Sequence, residues 1–481
     1  MKKLIALIII LASAYTADAR ITLSGLITDN MVLQQNSEVA LWGKCEPKSK
    51  VAVTPSWDGQ TITAVSDKNG EWKVYVKTPT AGGPYSITFS DGEEIVIDNV
   101  LIGEVWLCMG QSNMVMPMRG FTAQPVEGAM EYIVGAKPSR PIRICNIKRA
   151  TNLQVSSTCK AAWQTHTPDA VAAASATAYF FANKLQETLD VPVGIIVASW
   201  GGSKIQAWMS KEVLASGFPT EVDLSFLEKN EKPKNPHQAP TMLYNGMLAP
   251  LKNYGIKGVI WFQGCNNRGE AELYSRLQPE FVKMLRSMWN NNEMPFYYAQ
   301  ITAYKYSASQ NFEAALIREA QLENSKIIPH SGMVVTMDCG DEVCIHPPKK
   351  KPVGDRFAYI ALQKTYSKTG FDAISPVYES HEINGNTVYV KFTKTMWGGV
   401  GHRGKSLEGF ELAGEDRKFY PATASNTSED PHVIKVQSDM VPAPVAVRYA
   451  FHNYAPVSIY NTFGIPASPF RTDDWDIQQI D

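Results

Sequence analysis

Gly103-Glu-Val-Trp-Leu-Cys-Met-Gly-Gln-Ser-Asn-Met114 reads as a short buried strand broken by a glycine turn. Val105, Trp106 and Leu107 supply β-favouring, apolar side chains. Gly110 lets the backbone bend sharply and leaves the following residues uncluttered. Ser112 then stands at the C-terminal tip of a strand, between Gln111 and Asn113. That is where α/β enzymes hold a nucleophilic hydroxyl. Gly, Ser and Asn also dominate ordinary turns, so the stretch needs support from elsewhere in the chain.

Two later segments repeat the design. Val193-Gly-Ile-Ile-Val-Ala198 runs into Ser199-Trp-Gly-Gly-Ser203, and Ile256-Lys-Gly-Val-Ile-Trp-Phe262 runs into Gln263-Gly-Cys-Asn-Asn267. Phe296 to Ile301 and Gly332 to Met337 read as further strands. Between them the pattern predicts helices over 170–189, with Tyr179, Phe180, Ala182 and Leu185 facing inward, and over 273–288 and 353–364, the last with Pro352 near its start. Strands alternating with helices predict an α/β domain with a parallel sheet wound on both faces, over residues 101–375.

The flanks read differently. Val39 to Trp42, Lys50 to Thr54, Thr61 to Val65, Trp72 to Val76 and Tyr85 to Phe89 are short β-rich runs separated by turn signals. They predict an immunoglobulin-like β-sandwich over 20–100. Val388 to Phe392, Gly409 to Leu412, His432 to Val436 and Val445 to Tyr449 predict a C-terminal β region over 376–481. With no low-complexity linker, the three parts are expected to pack together.

Met1-Lys-Lys3, the apolar run from Leu4 to Ala14, and Ala17-Asp-Ala19 form a secretory signal-peptide pattern over 1–19. The run is short for a membrane span. The expectation is an exported protein, periplasmic or secreted, with no membrane span after cleavage. Across 481 residues the hydrophobic share is 44% and the net charge is -1. That is globular composition, with no electrostatic case for nucleic acid. The seven cysteines are scattered without metal-type pairs. Cys145 with Cys159 and Cys339 with Cys344 are near enough to consider as disulfides, although buried thiols suit a domain of this size.

Ends of parallel strands lie on one edge, where ligands bind. Ser112 offers a nucleophile there, the Gly201-Gly202 turn offers backbone N–H groups, and Gln263 and Asn267 offer amide donors for an oxyanion. A base is needed. Of eight histidines, His346 follows the last strand of the α/β region, in a loop fixed by Pro347. Gln111 and Trp200 are candidate substrate contacts. Trp200, Trp208 and Trp397 have faces suited to sugars, although tryptophans at strand ends commonly serve packing.

The blocks Gly103-Glu-Val-Trp106 with Gly110-Gln-Ser-Asn-Met114, Ser199-Trp-Gly-Gly-Ser-Lys-Ile-Gln-Ala-Trp208, Trp261-Phe-Gln-Gly-Cys-Asn-Asn267 and Ile345-His-Pro347 resemble those of sialate O-acetylesterases, carbohydrate esterases of the SGNH superfamily. Asp29-Asn-Met-Val-Leu-Gln34 and Pro466-Ala-Ser-Pro-Phe-Arg-Thr472 extend the resemblance over nearly the whole chain. It implies a three-layer α/β/α hydrolase acting on acetylated carbohydrate without metal or cofactor. Ser112 would be its nucleophile, His346 its base, and Gly202 and Asn267 its oxyanion donors, with Gln263 beside them.

The sequence departs from the family pattern at two places. Cys265 and Asn266 stand where glutamate and serine are common, and Cys344 stands where an aspartate often precedes the histidine. The group that orients His346 is therefore open between Asp341, Asp338 and a backbone carbonyl steering a Ser-His dyad. Acetylated plant polysaccharide such as xylan is an alternative substrate. A carbohydrate-binding protein that has lost turnover on the same scaffold is an alternative function.

Overall fold

The computed structural model describes residues 21–306, 312–393, 395, 398–401 and 406–476. The signal-peptide pattern and Trp397 lie outside the described residues. Among those described, no helix is long and apolar enough to cross a membrane.

The strand that carries the glycine turn is longer than its sequence implies. It runs from Glu94 to Gly110, and its two halves serve different neighbours. The first half pairs antiparallel with Gly82–Ser90, and its middle pairs in parallel with Val32–Gln34. The second half lies between Val193–Ser199 and Gly258–Phe262, parallel to both. The expected boundary at residue 100 thus falls inside one continuous strand, and one mixed sheet of 11 strands joins the N-terminal β module to the α/β region.

Across the α/β part the order is Trp163–Gln164, Ile142–Asn146, Val193–Ser199, Glu94–Gly110, Gly258–Phe262, Phe296–Ala299, Ser331–Val334. All but the first pair in parallel. Alternation along a strand sends successive side chains to opposite faces. Trp106 and Cys108 accordingly join one core with helices Ala176–Leu189 and Lys350–Lys364. Val105, Leu107 and Met109 join the other, with helices Ala271–Met288 and Glu313–Ile327.

The helix expected over 170–189 is broken in two, Pro168–Ala173 and Ala176–Leu189. Ala174 is extended, and the Ser175 side chain caps the second helix by accepting from Ala178 N–H. Backbone bonds from Met118 to Ala174 and from Ala176 to Met116 occupy the break. The segment after Ser112 is thereby fastened across the helix.

In the N-terminal module a sheet of Thr22–Leu23, Glu38–Lys44 and Glu71–Lys77 faces Lys50–Pro55 and Gly82–Ser90, with Trp72 meeting Phe89 at 5.9 Å between ring centroids. The C-terminal region holds two four-stranded sheets. It is bonded to the α/β part through Gln300 to Ser468 (2.9 Å), Ala314 N–H to Asn453 (2.8 Å) and the Arg471–Glu319 pair (2.7 Å). All seven cysteines are free thiols, including the two pairs near in sequence.

Candidate active site

Pairing register decides where the turns emerge. Ser199 and Phe262 both stand opposite Gly110, so three strand ends leave the sheet side by side. Gly110 has φ +146°, and a Cβ there would lie 2.2 Å from the Phe262 carbonyl oxygen, so only glycine fits. Gln111 donates its N–H to Phe262 O at 3.0 Å. Its side-chain Oε1 accepts from the N–H groups of Gly264 (3.2 Å) and Asn266 (3.4 Å). Read from sequence as a substrate contact, Gln111 is buried, and its acceptor ties two turns together.

Ser112 is half-buried and opens the short helix Ser112–Val115. Among the described residues its N–H and hydroxyl make no hydrogen bond. A Cβ on Gly201 would stand 3.5 Å from Ser112 Cβ, so the second turn lies directly against the serine. Gly202, at φ +73°, accepts from Asn266 Nδ2 through its carbonyl at 2.6 Å. Its own N–H has no acceptor among the described residues.

The third turn corrects the sequence reading. Asn267 and Gln263 were expected to lend amide hydrogens to an oxyanion, but both side chains are fully buried. Asn267 Nδ2 donates to Gln206 Oε1 (2.9 Å) and Glu270 Oε2 (3.0 Å), and its Oδ1 accepts from Ile205 N–H (3.1 Å) and Gln263 Nε2 (2.7 Å). Gln263 Nε2 also donates to Ser203 O at 3.1 Å. Both hydrogens of each amide are spent within the scaffold. Cys265 is buried as well, beside Tyr306, Arg268 and Arg318, and burial pushes its thiol up.

His346 is half-buried, and Gln124 Oε1 sits 2.8 Å from its Nδ1. The Phe121 ring meets the imidazole edge-on, at 5.2 Å and 73°. Neither aspartate named from sequence reaches the ring. Asp341 Oδ1 accepts from the N–H groups of Val343 (2.8 Å) and Cys344 (2.9 Å), closing its own loop. Asp338 holds Arg356 with both oxygens, at 2.7 and 2.6 Å. Cys344 Sγ contacts the His346 carbonyl at 3.2 Å.

Asn113 joins the serine side to the histidine side. Its Nδ2 donates to Ile345 O at 3.1 Å, and its Oδ1 accepts from Lys350 Nζ at 2.7 Å. Lys350 is 1% exposed and also donates to Pro347 O at 2.8 Å. Burial pushes its ammonium down to about 7. Burial also lowers the His346 imidazole, and the Lys350 charge adds to that shift.

Trp200 stacks on His237 at 5.5 Å and 12°, with the exposed Arg149 guanidinium 5.6 Å over its ring. His237 Nε2 and Gln238 Nε2 lie 3.6 and 3.7 Å from where a Gly202 Cβ would be. Trp208 is fully buried, its Nε1 donating to Ser203 Oγ at 3.0 Å, and so belongs to the core.

Gln124, Asn113 and Lys350 were missed as site residues. Asn113 had a signal in its place beside the serine, and Lys350 in its nearness to His346. Gln124 had none, since its partner lies 222 residues away.

Residues 102–363, more than half of the chain, match the family described as carbohydrate esterase, sialic acid-specific acetylesterase. The chain belongs to this family. It is a carbohydrate O-acetylesterase, a hydrolase of carboxylic esters. The sialate O-acetylesterase of Mus musculus is 26% identical to the esterase, with 97% of each chain covered. The human sialate O-acetylesterase is 26% identical, covering 92% of this chain and 91% of its own. A crystal structure of a carbohydrate acetylesterase from Xanthomonas citri superposes with a TM-score of 0.85 at 32% identity, covering 95% of the esterase and 100% of that chain.

Proposed function

We propose that this esterase removes acetyl groups from sialic acids, with Ser112 as nucleophile and His346 as general base. One observation carries the reading. The N–H groups of Ser112 and Gly202 and the Ser112 hydroxyl have no partners among the described residues, while the amide hydrogens of Gln263 and Asn267 beside them are spent within the scaffold. Buried or half-buried polar groups are normally paired, so these three are left for a ligand.

The steps follow from those groups. His346 Nε2 takes the Ser112 proton as Oγ attacks the acetyl carbonyl. The N–H groups of Ser112 and Gly202 receive the negative charge that builds on the carbonyl oxygen. The sugar oxygen leaves with the proton from His346. Water, deprotonated by the same ring, then attacks the acetyl-serine, and Ser112 Oγ leaves with that proton from His346 as acetate is freed. Asn267 and Gln263 support the oxyanion turn by fixing its backbone.

Sialic acids differ from neutral sugars in carrying a carboxylate. Arg149 favours them over xylan as substrate, because its exposed guanidinium at Trp200 has no acidic partner among the described residues. Trp200 and His237 would form the adjoining wall. The α/β part, with cores on both sheet faces, fits an SGNH-type three-layer domain over 101–375. The module before it fits an immunoglobulin-like sandwich, the β region after it packs on the hydrolase, and residues 1–19 fit a leader for export.

A second reading draws on the missing carboxylate at His346: a glycan-binding protein with lost turnover. Acetate release from O-acetylated sialic acids and acetylated xylan oligosaccharides separates the two. We expect release from the sialic acids, loss of roughly 10⁴-fold in Ser112→Ala, and about tenfold lower kcat/KM in Arg149→Ala on the acidic substrates alone. Activity in Ser112→Ala would refute the nucleophile. Binding without acetate release would favour the second reading.

A further inference from the structure

The histidine side of the site is docked on the segment that follows the serine. Asn113 Nδ2 donates to Ile345 O, Glu127 N–H donates to Pro348 O at 3.0 Å, and Gln124 meets the imidazole itself. Between these ties lies a closed turn. Phe121 and Gln124 exchange backbone hydrogen bonds of 2.9 and 3.0 Å. A Cβ on Gly120 would lie 2.4 Å from Gln124 O, so the turn requires glycine at that position. One four-residue turn therefore supplies both the amide at Nδ1 and the Phe121 ring packed on the imidazole.

A base that takes a serine proton through Nε2 needs its hydrogen on Nδ1, and an acceptor there holds both tautomer and ring angle. With Asp341 closing its own loop and Asp338 held by Arg356, neither carboxylate is free for the task. We propose that Gln124 is the positioning residue for His346, a neutral amide acceptor standing where hydrolases of this type use a carboxylate. The inference rests on the Ser112–His346 reading above.

A neutral acceptor has a consequence that a carboxylate would not. It fixes the ring without lending negative charge to the imidazolium. The segments that meet around the ring carry Asp341, Glu342 and Cys344 on its own loop, Arg119 and Glu127 on the serine side, and Lys349, Lys350 and Lys351 at the start of the next helix. The Lys350 charge lowers the ring further. A base whose affinity for protons is lowered stays neutral to lower pH, so the acidic limb of kcat/KM falls below the ordinary histidine value of about 6.5.

The test is the pH profile of kcat/KM for an aryl acetate, in the full protein and in Gln124→Glu and Gln124→Ala. Gln124→Glu keeps the shape and adds the charge, so its acidic limb should move up by about one to two pH units. Gln124→Ala should lose about tenfold to a hundredfold in kcat with KM little changed. A Gln124→Glu profile with its acidic limb unmoved, or Gln124→Ala with undiminished kcat, overturns the inference. Ser112→Ala run alongside keeps the failures apart, because activity surviving there overturns the nucleophile and leaves a moved limb in Gln124→Glu unaffected.

Discussion

The turns at 110–113 and 263–267 begin alike and end with opposite roles. Gly110 and Gly264 share nearly the same φ, +146° and +144°, and amide residues stand beside both. In the first, the neighbouring Gln111 turns its amide aside to bridge the two turns, and Ser112 is left with its N–H and hydroxyl unspent. In the second, Gln263 and Asn267 bond to each other and to Gln206, Glu270, Ser203 and Ile205. An amide at a strand end serves a ligand only if its own hydrogens are not already taken. Residue type leads to the strand ends; the accounting of donors tells the two turns apart.

Exchanging each glycine for alanine presses hardest on this contrast. The Gly110→Ala Cβ meets the Phe262 carbonyl oxygen at 2.2 Å, on the backbone of the neighbouring strand. The Gly264→Ala Cβ meets side-chain atoms alone, Ile301 Cγ2 at 2.7 Å with Gln321 Nε2 and Ile317 Cγ2 at 3.2 Å. Both positions also strain an L residue. We expect Gly110→Ala to lose soluble folded protein, and Gly264→Ala to fold with a lowered Tm. Equal thermal unfolding of the two variants would show that the turns are less distinct than described.

A smaller effect separates scaffold from catalysis at Asn267. Replacing it with alanine takes the acceptor from the buried Ile205 N–H and one partner each from Gln206, Glu270 and Gln263, at a cost of about 3 kcal/mol of stability. Turnover in the protein that remains folded should stay within about tenfold of the parent. A direct oxyanion donor would behave in reverse, losing about 10²–10³-fold in kcat with an unchanged Tm.

The strands at 193–199 and 258–262 were legible because buried parallel strands read as continuous apolar runs, and so the three converging turns were legible too. The helix over 170–189 was legible in type and periodicity. Its break at Ala174-Ser175 was not, because the bonds that hold it come from Met116 and Met118, nearly sixty residues earlier. Ile142–Asn146 escaped notice as a strand because Arg143 and Asn146 interrupt its apolar pattern, yet Arg143 is only 4% exposed. Ser112 and His346, the proposed nucleophile and base, were named from their places after strands. The partner of His346 could not, since Gln124 carries no charge and belongs to a turn whose shape depends on Gly120 and its own backbone bonds. A search confined to acids near the histidine leads to Asp341 and Asp338, each already engaged.

The account stands or falls on Ser112. Treatment with a serine-directed aryl phosphonate, followed by peptide mass mapping, reads the nucleophile directly. The account predicts one adduct, on the peptide containing Ser112, forming in step with loss of activity and absent from Ser112→Ala. Inactivation with the label on another residue, or full inactivation of a still-active Ser112→Ala variant, would contradict it.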